Sequence, residues 1–171
     1  MGFSASEPVE AIRADITTLA VDVVVNAANR ELRRGSGVCG AIFAAAGPAL
    51  DDACAAIGGC ATGDAVATDG FDLPARWIVH AVGPVWHGGD DGEADLLASC
   101  YRRALAVGRD LGARSIALPA ISTGIYGFPP DAAAAIAVAT ARANATGWDR
   151  IVLCAFDTDT LARYQALLRP I

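Results

Sequence analysis

Two uncharged amides, Asn26 and Asn29, follow the β-branched run Val23-Val24-Val25. After Arg30 to Arg34 comes a glycine-rich segment, Gly35-Ser36-Gly37-Val38-Cys39-Gly40. An asparagine side chain carries a donor and an acceptor without charge, and glycine lets main-chain N–H groups approach a ligand closely. This stretch is therefore suited to holding sugar hydroxyls beside phosphates, and the pairing predicts a nucleotide-sugar ligand. A second loop leaves the run Ile116-Ala117-Leu118-Pro119 as Ala120-Ile121-Ser122-Thr123-Gly124-Ile125-Tyr126-Gly127-Phe128-Pro129-Pro130 and enters a helical stretch. Ser122, Thr123 and the successive amides can wrap a diphosphate at that helix N-terminus, where unpaired N–H groups and the helix dipole favour anions. Either loop alone reads as an ordinary strand-to-helix turn; the two together, with the asparagines, point to an anionic ligand.

Other chemistries fit less well. Gly35 to Gly40 satisfies the G-x-G-x-x-G pattern of dinucleotide-binding domains. That fingerprint belongs immediately after the first strand of a βαβ unit, with an acidic residue closing the next strand about 20 residues on. Here the stretch from Asn26 to Arg34 separates the expected strand from the first glycine, and the next strand, Ala65–Thr68, lies well beyond that distance. Cys39, a thiol at a helix start, could serve as a nucleophile if a base stood beside it. The two histidines are His80, inside an apolar strand, and His87, in a polar glycine-rich insert, so packing against the ligand is the better reading of Cys39. No acidic or Cys/His cluster has metal-ligand spacing, and no cofactor is expected.

These loops need strands to deliver them. In a chain of 171 residues that is 54% hydrophobic, one well-buried core is expected, hence a single domain over residues 1–171. Apolar runs at Val21–Val25, Ala65–Thr68, Trp77–Val82, Ser115–Leu118 and Ile151–Phe156 read as strands, with Val9–Ala14 as a possible edge strand. Between them, Cys39–Ala46, Ala49–Ile57, Glu93–Leu111, Asp131–Ala145 and Thr158–Leu168 have helical spacing, the last capped by Asp157 or Thr158. Near-continuous apolar strands alternating with amphipathic helices predict a mostly parallel sheet covered on both faces, a three-layer α/β/α fold with ligands beyond the strand carboxyl ends. The insert His87 to Gly92 reads as a solvated loop without a role.

The net charge of −6 argues against non-specific nucleic-acid binding, so any bound phosphates must be held by main-chain amides. Thirteen arginines and no lysine, with abundant alanine and glycine, suggest a GC-rich, bacterial genome. Five scattered cysteines suit reduced, buried thiols. No run approaches the roughly 20 apolar residues of a membrane helix, so a cytoplasmic monomer without a membrane partner is expected.

Six segments in order carry a family resemblance: Ala14-Asp15-Ile16-Thr17, Val25-Asn26-Ala27-Ala28-Asn29, Gly37-Val38-Cys39-Gly40-Ala41-Ile42, Ala45-Ala46-Gly47-Pro48, Val79-His80-Ala81-Val82-Gly83-Pro84 and Ile121-Ser122-Thr123-Gly124-Ile125-Tyr126-Gly127-Phe128-Pro129. Over nearly the whole chain, from Val9 to Leu168, the sequence resembles the macro domain family, closest to its MacroD-type and alphavirus-type members. Macro domains bind ADP-ribose, and many remove it from proteins or remove acetyl from O-acetyl-ADP-ribose. The resemblance makes Asp15 the acceptor for the adenine amino group, with the Ile16 backbone beside it. Asn29 would orient the distal ribose while Asn26 braces the loop from below. Gly37, Val38, Cys39 and Gly40 would flank the diphosphate and distal ribose, Ser122, Thr123, Gly124, Ile125 and Tyr126 would wrap the phosphates, and Phe156 would stack on adenine or else sit in the core. Tyr126 would close over the ribose.

One departure bears on activity. MacroD-type hydrolases usually carry an aspartate after the Gly-Val pair, assigned to water activation, where this chain has Cys39; alphavirus-type members also show Gly-Val-Cys and are associated with hydrolysis. Arg34 and Ser36 likewise replace glycines, and Phe43 stands where many have histidine. What the resemblance implies is hydrolysis of ADP-ribosyl esters, either mono-ADP-ribose on acidic protein side chains or O-acetyl-ADP-ribose, through Asn29, Gly37, Cys39 and Tyr126. ADP-ribosylated proteins would be the partners. The alternative is an ADP-ribose-binding module without catalysis.

Overall fold

The structure, a computed structural model, describes residues 7–170. Six strands form one sheet: β1 (Val9–Arg13), β2 (Val23–Ala28), β3 (Ala65–Asp69), β4 (Trp77–Val82), β5 (Ser115–Leu118) and β6 (Arg150–Ala155). Their spatial order is β1-β6-β5-β2-β4-β3. Every neighbouring pair is parallel except β3 with β4, which is antiparallel. Five helices cover the sheet: α1 (Gly37–Ala46), α2 (Ala49–Ile57), α3 (Glu93–Asp110), α4 (Pro130–Ala143) and α5 (Thr158–Leu168). None of them is long and apolar enough by itself to cross a membrane.

The alternation of side chains along each strand builds two cores. Val23 and Val25, Val79 and Ala81, Ile116 and Leu118, and Ile151 and Leu153 point to the face covered by α3, α4 and α5. Val24 and Ala28, Ile78 and Val82, Ala117 and Val152 point to the other face, under α1 and α2. Both faces of the central strands are buried, which explains why they read as continuous apolar runs.

One expectation needs correction. The strand read as Val21–Val25 begins two residues later, at Val23, and ends three residues later, at Ala28, so that it includes Asn26. Asparagine is a poor strand former, but Asn26 sits opposite His80 of β4 in register and its Nδ2 lies 3.1 Å from the imidazole Nδ1, so a side-chain partner outweighs propensity. Only Asn29 to Arg34 then separate β2 from the glycine-rich segment. The insert after β4 is an exposed loop, as read from the sequence, and it is anchored. Glu93, the first residue of α3, is buried and accepts the main-chain N–H groups of His87, Gly89 and Asp91 at 2.9, 2.8 and 2.7 Å. These amides, that of His87 foremost, hold its carboxyl down at about 2.

Candidate functional site

The carboxyl ends of β1, β2, β5 and β6 open into a cavity of about 630 Å³, the position that a parallel sheet reserves for ligands. Asn29 and the Gly35–Cys39 segment form one wall, and Ala120 to Tyr126 form the facing wall. Asp15, Ile16, Phe156, Asp157 and Thr160 close one end.

Both walls present unpaired donors. In the β5–α4 loop the main-chain N–H groups of Ser122, Thr123, Gly124, Ile125 and Tyr126 find no acceptor among the described residues, whereas Gly127 and Phe128 bond back to the carbonyls of Gly124 and Ser122. Ser122 takes a positive φ of 66°, turning this run of amides toward one side, and its Oγ is buried without a partner. Opposite, α1 begins at Gly37 with Ser36 as N-cap, whose side chain makes no cap bond. The first-turn amides of Gly37, Val38 and Cys39 are therefore open as well. Two rows of N–H groups without acceptors thus line one cavity, an arrangement suited to an anion.

The close approach of the walls depends on glycines. A Cβ on Gly83, at the end of β4, would lie 2.2 Å from Ser122 Oγ and 2.5 Å from Ile121 Cγ2. One on Gly40 would lie 2.6 Å from the Gly35 carbonyl oxygen. Neither contact is possible for a real side chain, so Gly83 seats the β5–α4 loop and Gly40 lets Gly35 fold back over α1. Nothing in the sequence around Gly83 signals that it touches this loop.

Asn29 lines the cavity, and its polar atoms are already engaged: Oδ1 accepts from Arg33 N at 2.9 Å and Nδ2 donates to Arg33 O at 2.8 Å. It therefore closes the Asn29–Arg33 loop while retaining one lone pair and one proton for a ligand. Asn26, expected among the ligand-binding residues, is fully buried below this floor and does not line the cavity; Gly40 does not line it either. Both act on the site from beneath. Asn26 Nδ2 lies against His80 Nδ1 at 3.1 Å and Cys39 Sγ at 3.7 Å, while His80 Nε2 lies 3.0 Å from Thr68 Oγ1, whose hydroxyl donates to Asp69 O. A neutral ring with its proton on Nε2 satisfies this chain, and burial pushes the His80 pKa down to about 4. His80 is thus a satisfied buried histidine rather than a base for catalysis.

At the closed end, Asp15 caps a short 3₁₀ turn: Oδ1 accepts from Thr17 N at 3.0 Å and Thr17 Oγ1 at 2.7 Å. The side chain is exposed and lines the cavity, and Oδ2 has no partner among the described residues. One oxygen therefore caps the turn while the other stays open. Ile16 is buried beside it. Phe156, one residue past β6, is 89% exposed on the cavity rim, which removes the core reading and leaves a free aromatic face.

Cys39 Sγ is turned toward Arg33 O at 3.6 Å and Asn26 Nδ2, and its nearest histidine is reached only through Asn26. No base stands beside this thiol, which favours packing. Tyr126 lines the mouth, half-buried; burial first, then the Glu31 carboxylate and Cys39, raise its phenol pKa, so it is a donor and not a base at neutral pH. Cys154, not foreseen as a site residue, also lines the cavity, with Sγ on Ala14 O at 3.4 Å and its pKa raised by burial. No three His, Cys, Asp or Glu side chains gather into a metal-holding group among the described residues.

Comparison with known proteins agrees with this arrangement. The "Macro domain" family profile matches residues 25–137. A "Macro domain-containing protein" of Ralstonia nicotianae is 56% identical over 92% of this chain and 92% of its own length. An "O-acetyl-ADP-ribose deacetylase" of Klebsiella pneumoniae is 51% identical over 93% of this chain and 95% of its own. Among solved structures, the Oceanobacillus iheyensis macrodomain with ADP superposes with a TM-score of 0.89 at 39% identity, covering 98% of this chain and 94% of that one. The Trypanosoma brucei macrodomain in complex with ADP-ribose superposes with a TM-score of 0.89 at 36% identity, covering 95% and 69%.

Proposed function

Because this chain belongs to the macro domain family, we propose that it binds ADP-ribose in this cavity and hydrolyses ADP-ribosyl esters, with acidic protein side chains or O-acetyl-ADP-ribose supplying the acyl group. The observation that carries the reading is that two open amide rows, Ser122–Tyr126 and Gly37–Cys39, line the same cavity. Together they match a diphosphate. Asp15 Oδ2 and Phe156 suit the adenine at the closed end, one as acceptor for its amino group and the other as a stacking face. The distal ribose then falls beside Asn29.

Esters at that ribose can be opened by a water held between the ligand's own phosphate and the carbonyls of the Gly37–Cys39 loop. Asn29 orients the sugar and Tyr126 covers it. Such catalysis rests on positioning and on preorganised dipoles rather than on a strong protein base. Cys39 is consistent with it, being a small neighbour of the ribose. The absence of a carboxylate at position 39 favours the second reading, a binding module that does not cleave.

The deciding assay follows acetate release from O-acetyl-ADP-ribose, and loss of label from a glutamate-modified protein, in excess chelator. Turnover under chelation is expected. Micromolar ADP-ribose binding without turnover would convert the enzyme into a reader, and no binding would refute both readings.

A further inference from the structure

Resting on the reading that ADP-ribosylated proteins are the ligands, we infer that the β2–α1 loop is a basic lip that selects an acidic peptide flank around the modified side chain. The segment Arg30-Glu31-Leu32-Arg33-Arg34 is bracketed by Asn29 and Gly35, both of which line the cavity; none of its own residues lines it, so the segment borders the cavity on the side proposed for the distal ribose. Arg30, Arg33 and Arg34 are exposed and make no side-chain hydrogen bond or ion pair among the described residues. Five of the ten other arginines are committed to ion pairs: Arg103, Arg114, Arg142, Arg150 and Arg163 are paired with Asp64, Asp149, Glu7, Glu10 and Asp131. Three arginines against one glutamate give this rim a charge of +2 in a chain of net −6, so the remainder carries −8. A basic site in an acidic protein attracts an anion locally while the rest of the surface repels it, which favours register over general adhesion.

The lip is also rigid. Leu32 is buried at 2% exposure with φ 57°, the Arg30 carbonyl accepts from Cys60 N at 2.9 Å, and both main-chain polar groups of Arg33 are tied to Asn29. Guanidinium groups on a fixed main chain lose less freedom on pairing with carboxylates than those on a mobile tail. The segment's main chain holds the ribose-side asparagine while its arginine side chains are exposed, so one element couples sugar placement to the protein that carries the sugar. An ester on a glutamate or aspartate with acidic neighbours is the substrate this lip fits.

The test uses fluorescent peptides bearing ADP-ribose through a stable linkage, with acidic or neutral flanks, and reads equilibrium affinity at low and high salt. The acidic peptide is expected to bind about fivefold tighter than the neutral one at low salt. That ratio should fall to about one at 1 M salt, where the Debye length is about 3 Å, and at low salt in the double variant Arg30→Gln/Arg34→Gln, with free ADP-ribose affinity unchanged in that variant. A ratio near one in the unmodified protein would overturn the inference. Equal losses for both peptides and for free ADP-ribose in the double variant would also overturn it, by assigning the arginines to the nucleotide. Displacement of the acidic peptide by an unmodified oligonucleotide of equal charge, as effective as by a modified peptide, would give the lip to nucleic acid. If free ADP-ribose does not bind, the proposed function fails instead.

Discussion

Lowering the pH forces a proton onto a group that the fold holds neutral. His80 is fully buried beneath the cavity floor, its Nδ1 facing Asn26 and its Nε2 facing Thr68, and its pKa falls from 6.5 to about 4. A base with a depressed pKa contributes stability that is complete above its unfolded value of 6.5 and is lost as pH falls toward 4, because the unfolded chain takes up the proton first. At 1.36 kcal/mol per pH unit, the loss relative to pH 7.5 is about 1.3 kcal/mol at pH 5.5 and about 2.5 kcal/mol at pH 4.5. That is a sizeable share of a typical domain's 5–15 kcal/mol. The carboxyls held below their usual range, Asp64, Glu93, Asp149 and Asp157, lose their contribution only on further acidification, so the interval from 7.5 to 5.5 isolates histidine. Urea denaturation followed by tryptophan fluorescence at pH 7.5, 5.5 and 4.5 measures it. Equal stability at pH 7.5 and 5.5 would mean that His80 titrates normally and that the Asn26–His80–Thr68 chain does not hold it neutral.

Substitutions at four positions examine the site. Asn29→Ala should lower turnover of O-acetyl-ADP-ribose about 100-fold through a misplaced ribose while the unfolding midpoint moves little; a large drop in the midpoint with proportionate loss of activity would leave Asn29 only its bonds to Arg33. Cys39→Ala should retain substantial activity and Cys39→Asp should raise it by placing a carboxylate near the attacking water; abolished turnover in Cys39→Ala with normal ADP-ribose binding would make the thiol a participant. Asp15→Ala should cost roughly 1.5–3 kcal/mol of ADP-ribose binding and almost nothing for ribose-5-phosphate, and equal calorimetric losses for both would restrict Asp15 to its cap. Gly83→Ala must displace Ser122 or Ile121, so about 1–3 kcal/mol of stability and most phosphate affinity should go together; an unaffected protein would mean that the β5–α4 loop is not seated on Gly83.

Periodicity and composition made the layers legible, since buried parallel strands have to be apolar on both faces; Trp77–Val82 and Ser115–Leu118 fall where the pattern puts them. The beginning and end of β2 were not legible, because what keeps Asn26 in a strand is an imidazole 54 residues away. Nor was the reversed direction of β3, a property of pairing rather than of the apolar run Ala65–Thr68. Within the site, glycines and asparagines announced a ligand, and the resemblance distributed the roles. That a cavity-lining side chain can also be tied into the fold was visible only in three dimensions: Asn29 staples its loop through Arg33, and Asp15 caps with one oxygen while the other stays open. The positive φ of Ser122 belongs to the same class of fact, a conformation imposed by neighbours.

The open amides of Ser122 to Tyr126 have a further consequence for how such a site can change over evolutionary time. A main-chain N–H is offered by every residue except proline, so drift in the side chains of this loop leaves its hold on an anion largely intact, provided that the turn itself survives. Side chains at the rim and beside the ribose, such as Arg34, Ser36 and Cys39, are then free to vary with the job at hand. New partners, linkages or rates can be explored from a position of secured ligand affinity, with innovation confined to the few side chains that touch what lies beyond the nucleotide.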